Sequence, residues 1–414
     1  MTQPSSAQTT PSANTPRFRT LDTLNASGKT VLVRVDFNVP VQDGQITDTS
    51  RIDRVKPTID RLRAQGAKVV MMAHFGRPKA APEPQFSLDF LAQALPKLWG
   101  YPVTFAADCV GAQAEKAVAA LHAGDVLLLE NVRFHAGEEK NEAGFAKSLA
   151  ALGDVFVNDA FSAAHRAHAS TAGIADHLPA YAGLLMEAEL KALEAALTAP
   201  VRPVAAIVGG AKISTKLELL GNLVGKVDVL ILGGGMANTF LAAKGVDVKK
   251  SLCEHDMKDE ARAIMDTAER GGCRIILPVD FTCAAEFKAN ADHVHVAADA
   301  IPDGFMALDI GPRSADHIIA VLKDCKTVVW NGPLGAFEIK PFDAYTNAVA
   351  SAVAERTAQG KILSVAGGGD TVSALANAGV DADGFSYLSG AGGAFLEWLE
   401  GKTLPGVAAL YPRV

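Results

Sequence analysis

One feature above all limits the folds open to this chain: short apolar runs alternate with helical stretches along nearly its whole length. In the first half, strands are expected over 30–36, 68–73, 103–106, 126–129 and 154–157, with helices over 53–65, 88–99, 112–121 and 142–152. Gly66, Gly100 and Gly153 stand near the ends of those helices, where a residue is often needed in a left-handed conformation. In the second half, strands are expected near 204–208, 229–232, 274–277, 327–330, 362–366 and 385–388. Helices fit 212–220, 237–244, 257–270, 314–322, 344–356, 371–376 and 394–401. Alternation of this kind implies parallel sheets with right-handed crossovers, an α/β class. The strand count exceeds eight, so two open sheets suit the pattern better than one eight-fold barrel. A long helix over 186–197, then Pro200-Val201-Arg202-Pro203, reads as a connector between domains. The halves share a pattern but no repeated sequence.

Composition narrows the function classes. A net charge of −7 argues against general binding to nucleic acid or anionic membranes, but not against a small anionic ligand. The five cysteines, Cys109, Cys253, Cys273, Cys283 and Cys325, are scattered and form no CxxC pair. They read as free thiols of a reducing cytoplasm and offer no zinc signature. His293 and His295 would share one face of a strand, but no third metal ligand is evident and surface histidines are the simpler reading. No apolar run reaches the ~18–20 residues that span a bilayer. Residues 1–16, rich in Ser, Thr, Gln and Pro, lack the features of a secretory signal and read as a disordered tail.

Paired glycines occur only beyond Pro200. Most follow an expected strand: Gly209-Gly210-Ala211-Lys212, Gly233-Gly234-Gly235, Gly367-Gly368-Gly369-Asp370-Thr371 and Gly390-Ala391-Gly392-Gly393. Glycine turns between a strand and a helix let backbone N–H groups close on an anion at the positive end of the helix dipole. Several together point to a phosphate-rich ligand. The spacing is not that of a P-loop, and no GxGxxG follows the first strand. If 212–220 is helical, Lys212 and Lys216 share one face, with Lys212 at the start in reach of a phosphate. Asp370 reads either as a Mg²⁺ ligand beside phosphates or as an ordinary helix N-cap. Glu338, after the turn Trp330-Asn331-Gly332-Pro333, could accept ribose hydroxyls, or simply be solvated.

The first half offers different chemistry at its strand ends: Arg34, Asp36 and Asn38 with Arg51 downstream, then His74 and Arg77, Glu130 and Arg133, and His165, Arg166 and His168. Ligands of open α/β sheets bind beyond the carboxyl ends of strands. Arg suits bidentate capture of phosphate or carboxylate. A single Arg would more often pair with a nearby carboxylate, but recurrence at successive strand ends points to a cationic pocket. Asp36 could bind substrate hydroxyls or orient an Arg.

RVDFNVP at 34–40, HFGRP at 74–78, LENVRF at 129–134, NDAFSAAHRAH at 158–168, GGAK at 209–212, GGGM at 233–236, WNGPLG at 330–335, GGGDT at 367–371 and the segment 389–405 together resemble the phosphoglycerate kinase family, in its order, from about residue 21 to the end. That resemblance implies two Rossmann-like domains, each a parallel sheet with helices on both faces, joined by a helical hinge. It divides the chain after the tail into a phosphoglycerate-binding domain (17–186), a hinge and connector (187–203), a nucleotide-binding domain (204–403) and a segment that returns to the first domain (404–414). It implies 3-phosphoglycerate or 1,3-bisphosphoglycerate as substrate, held by Asp36, Phe37, Asn38, Arg51, His74, Phe75, Gly76, Arg77, Arg133 and Arg166. ADP or ATP with Mg²⁺ would be held by Gly210, Lys212, Lys216, Gly234, Gly235, Asn331, Glu338, Gly367, Gly368, Gly369, Asp370 and Thr371, with Asp370 on the metal. Arg51, Lys212, Gly392 and Gly393 would stabilise the phosphoryl group in transit. A cytoplasmic monomer is expected. The chain departs from the family pattern at Ser162-Ala163, Phe75 and Gly390-Ala391.

The implied reaction moves a phosphoryl group between a carboxylate and ADP. A carboxylate, with a pKa near ~4, is already ionised and needs no general base. That accounts for a site rich in Arg, Lys and backbone donors. An NAD-dependent dehydrogenase would require the missing GxGxxG. A non-catalytic anion-binding module would not need Lys212, Asp370 and phosphate turns alongside an arginine cluster.

Overall fold

The computed structural model describes residues Phe18–Pro412, so the expected tail at 1–16 lies outside the described residues. The chain separates into two compact units: one runs to Glu187 and takes in the chain from Pro405 onward, the other is Ala188–Leu404.

The first unit is built on a six-stranded sheet. Its strands, in spatial order, are Thr104–Ala106, Val126–Leu129, Lys68–Met72, Thr30–Arg34, Val155–Asn158 and Ala180–Ala182. All neighbours run parallel. Successive side chains of a strand face opposite ways, and the core is divided accordingly. Val31, Val33, Val69, Met71, Leu128, Val155 and Val157 enter one apolar layer. Leu32, Val70, Met72, Leu127, Leu129 and Phe156 enter the other. Both faces are therefore covered, which is why these strands read as continuous apolar runs. The chain from Pro405 onward docks on this unit, with Gly406 N donating to Ala164 O at 2.8 Å and Asn158 Nδ2 donating to Gly406 O at 3.3 Å.

The second unit repeats the plan. Its parallel sheet is ordered Arg274–Ile276, Val229–Leu232, Val204–Val208, Thr327–Asn331, Leu363–Gly367 and Tyr387–Ser389. It carries an addition that the expected element series lacks: an antiparallel sheet of His293–Ala297, Asp280–Ala284 and Met306–Ile310. Its strands mix polar and apolar residues because only part of it is buried.

Other departures have local causes. The sixth strand of the first sheet, Ala180–Ala182, is too short for periodicity to reveal. The helix expected over 186–197 spans Leu184–Leu193 and then widens to a π-helical turn over Glu194–Thr198. Gly66 and Gly100 take positive φ at helix ends, as expected. Gly153 does not; an added Cβ there would lie 2.7 Å from Leu32 Cγ, so close packing explains this glycine. His293 and His295 do share the edge strand, with ring centroids 5.8 Å apart. Among the described residues no third ligand joins them.

Candidate active site

In the first unit the chemistry gathers where the strands end. Asp36, just beyond Thr30–Arg34, accepts from Arg51 Nη1 at 2.6 Å, from the Ser162 hydroxyl and from Asn38 N at 3.0 Å. Burial pushes its carboxyl up, but His74, Arg51 and these hydrogen bonds outweigh burial and hold it down at about 2. Of its two expected roles, this contact fits the second, orienting an Arg. Asn38 Oδ1 accepts from Gly76 N at 2.9 Å, and Arg133 Nη1 donates to Gly76 O at 2.8 Å. Asn131 Nδ2 adds bonds to Phe75 O at 2.8 Å and Phe86 O at 2.9 Å. The glycine of the 74–77 loop is thus gripped by two expected site residues. Its φ of +62° further restricts that position.

His74 is buried and its Nδ1 lies 3.0 Å from Arg34 Nη2. A guanidinium only donates, so Nδ1 accepts and the ring proton sits on Nε2. Burial and the Arg34, Arg133 and Arg166 charges push His74 well below the usual histidine range, so it is neutral at pH 7. Arg133 and Arg166 also act on each other, which places Arg34, Arg133, Arg166 and His74 in one electrostatic neighbourhood. Some arginines are compensated: Arg34 Nε donates to Ser170 Oγ at 2.8 Å, and that hydroxyl leads to Glu138, while Arg133 Nε lies 3.3 Å from Glu139. Arg77 and Arg166 are exposed and make no ion pair among the described residues. Phe37 is fully buried, its ring 6.1 Å from that of Trp99, so its side chain belongs to the core. Phe75 packs on Phe90 at 5.0 Å.

In the second unit the glycine turns interlock. A Cβ on Gly209 would sit 1.7 Å from Pro333 O, and one on Gly234 would sit 2.6 Å from Gly210 O. Such glycines are needed for turns to pack on turns before any ligand is considered. Helices begin at Gly234, Gly369 and Gly392. An ideal Cβ on Gly392 lies 3.9 Å from Gly369 N, so two helix starts stand side by side. Gly369, Gly392 and Gly393 are exposed, leaving their N–H groups available to an anion.

The helix expected from Lys212 begins only at Leu217, so Lys212 and Lys216 do not share a helix face. The intervening residues turn instead, held by Thr215 Oγ1 donating to Lys212 O at 2.9 Å. Lys212 is exposed and makes no ion pair among the described residues. Lys216 folds inward: Nζ donates to Gly209 O and Asn331 Oδ1, each at 2.7 Å. Burial lowers its ammonium to about 8, against the opposing pull of Asp370. Asn331 Nδ2 donates to Gly367 O at 2.9 Å, and Thr371 Oγ1 accepts from Gly332 N at 2.7 Å while donating to Gly367 O at 2.8 Å. Gly368, with φ +100°, is the residue that opens the helix, and no side chain caps it. The N-cap reading of Asp370 therefore falls. Its exposed carboxylate makes no hydrogen bond or ion pair among the described residues, and a hard cation fits it.

Gly210, Gly234, Gly235, Glu338 and Asp370 line one cavity of about 470 Å³. Its other walls include Asn238, Leu252, Leu308, Leu334 and Phe337. The apolar ones among these escaped the sequence reading, because scattered Leu and Phe look like any core. So did the Ser170–Glu138 support under Arg34, whose members lie far apart in the chain. The Ser162 hydroxyl on Asp36 was visible only as a departure from a pattern.

The phosphoglycerate kinase family model matches residues 21–402. Phosphoglycerate kinase from Rhizobium leguminosarum is 62% identical over 396 residues, covering 95% of this chain and 99% of that protein. The Rhodospirillum centenum enzyme of that name is 62% identical over 393 residues, with shares of 95% and 99%. The solved structure of phosphoglycerate kinase from Coxiella burnetii is 42% identical, with a TM-score of 0.88 over 95% of this chain and 98% of that one. With arginine-rich strand ends in one unit and interlocked glycine turns in the other, the chain belongs to the phosphoglycerate kinase family.

Proposed function

We propose that this chain catalyses reversible phosphoryl transfer from 1,3-bisphosphoglycerate to ADP, giving 3-phosphoglycerate and ATP. Family membership supports the reaction. One structural observation supports the assignment of roles: one unit gathers Arg and His side chains, the other gathers helix starts around a carboxylate with no ion pair among the described residues.

In this reading the first unit holds the phosphoglycerate. Arg77 and Arg166, free of carboxylate partners among the described residues, bind its charged groups, with Arg133 and the Nε2–H of neutral His74. Asp36 holds Arg51 in place, and Asn38 fixes the loop that carries Arg77. The second unit holds the nucleotide: its base lies against Leu308, Leu334 and Phe337, and Glu338 accepts from the ribose. Lys216, Asn331 and Thr371 shape the turn over which the phosphates lie. The helix starts at Gly234 and Gly369 face those phosphates. Asp370 holds Mg²⁺, which neutralises phosphate charge.

The transfer breaks the bond between phosphorus and the acyl oxygen and forms one to the terminal oxygen of ADP. The leaving carboxylate is stable as an anion, so no residue need supply a proton. The protein's work is alignment and charge stabilisation of a metaphosphate-like group. Lys212, Arg51 and the N–H groups at Gly392-Gly393 supply that charge. We also infer that the chain acts as a monomer in the cytoplasm. Its five cysteines are free, as a reducing compartment allows, and no helix among the described residues is long and apolar enough to cross a membrane. A coupled assay for ATP formed from 1,3-bisphosphoglycerate and ADP tests the reaction; no ATP from folded protein with Mg²⁺ would refute it.

A further inference from the structure

The outer edge of the first sheet carries a cluster of different chemistry. Strands Thr104–Ala106 and Val126–Leu129 pair in parallel, so the segments that leave their carboxyl ends meet. Asp108 and Cys109 follow the first, and His135 follows the short turn Val132–Phe134 beyond the second. One ligand atom from each of Asp108, Cys109 and His135 lies within 4.8 Å of the others. His135 Nε2 is 2.7 Å from Asp108 Oδ1. The imidazole is also held by stacking on Phe145, with ring centroids 5.0 Å apart. The three groups come from two segments fixed by the sheet, so the cluster is largely preformed.

We propose that Asp108, Cys109 and His135 form a binding site for a borderline-soft divalent cation of the Zn²⁺ class. The donor set is one sulfur, one nitrogen and one oxygen, which suits zinc and disfavours Mg²⁺ or Ca²⁺. Tetrahedral zinc holds such donors about 3.5 Å apart, so shifts of about an ångström complete the geometry. The Nε2–Oδ1 contact is where the cation enters: Nε2 ligates it as the lone-pair nitrogen of a neutral imidazole whose one proton sits on Nδ1, any other ring proton passing to solvent. Cys109 binds as thiolate and releases its thiol proton to solvent. The carboxylates of Asp108, Glu138 and Glu130 act electrostatically on Cys109, a negative setting that suits a divalent cation. Cys109 is inaccessible, but the side chains of His135 and Asp108 are 31% and 41% exposed, so a fourth position faces solvent.

Co²⁺ added to the whole chain, with excess Mg²⁺ to occupy oxygen-only sites, tests this directly. The site predicts one Co²⁺ per chain, with a thiolate-to-cobalt charge-transfer band that Zn²⁺ displaces. Cys109→Ser should abolish the band. Cys253→Ser should leave it unchanged, a control required because Cys253 Sγ lies 3.7 Å from His255 Nδ1. His135→Asn keeps the thiol and should weaken binding by more than the roughly 10–100-fold that loss of an outer-shell partner costs. It gives a second reading if the serine variant does not fold. Absence of the band in the parent protein, its survival in Cys109→Ser, or unchanged affinity in His135→Asn would overturn the assignment.

Discussion

In the proposed reading the two units solve one problem, holding an anion at the end of a parallel sheet, by different means. The first uses long cationic side chains and stiffens them from behind. Asp36 holds Arg51, Ser170 and Glu138 hold Arg34, and Asn38 and Arg133 hold Gly76. The second removes side chains, so that turns pack on turns and helix starts are left open. Side chains suit a small ligand with charge at both ends, because each guanidinium can be aimed separately. Backbone donors suit a chain of phosphates, because they repeat at fixed spacing and carry no side-chain entropy.

The largest expected effect tests whether charge from both units reaches the transferring group. Arg51→Ala and Lys212→Ala should each lower kcat by roughly 10²–10³ or more, the scale seen when one preorganised donor is removed. Near parental kcat in one of them would confine catalysis to the other unit. Next come the turns. Gly209→Ala places a Cβ against Pro333 O and should cost several kcal/mol or prevent folding, as severe overpacking does. Gly100→Ala, at positive φ but in open space, should cost only about 1 kcal/mol. Equal losses on chemical denaturation would show that the interlocking is unimportant.

Acid and alkali should separate the units. The Asp36 carboxyl lies lower in the folded state than in the unfolded chain, so its contribution is present above about pH 4 and fades as pH falls towards 2. Its size is about 2 kcal/mol, and Asp36→Asn should flatten that part of the acid unfolding curve. Lys216 is shifted in the same direction, but its window lies in alkali. Its folded value is about 8 against 10.5 unfolded, so between these the unfolded chain binds more protons and stability rises with pH. The gain is at most about 3 kcal/mol, and a Lys216→Met variant should lose it. Because the same group loses its charge there, the KM for ADP should rise above pH 8 in the parent and remain flat in the variant. The smallest effect belongs to Asp370→Ala. It should weaken Mg-nucleotide binding in calorimetry and leave 3-phosphoglycerate binding unchanged; the reverse would exchange the roles of the two units.

Much of this was legible before any coordinates. The strand runs at 30–36, 68–73, 204–208 and 229–232 were readable because strands covered on both faces are continuously apolar. The arginines were readable by their recurrence after such runs. Two kinds of feature were hidden. Short or half-buried elements, such as Ala180–Ala182 and the antiparallel sheet, carry too weak a period. The start of a helix after glycines was misplaced too: 212–216 has helical composition, yet Lys216 turns inward to Gly209 and Asn331.

By itself the sequence determined the α/β class, the chemical contrast between the halves and the family, since these rest on residue type, order and local period. Only the tertiary structure decided which charges are spent and which are free. Asp36 is occupied by Arg51 and Ser162, Arg34 reaches Glu138 through Ser170, and His74 is neutral, while Arg77, Arg166, Lys212 and Asp370 make no ion pair among the described residues. The reason is physical. A side chain's charge state and partners depend on burial and on groups distant in the chain, which no local pattern encodes.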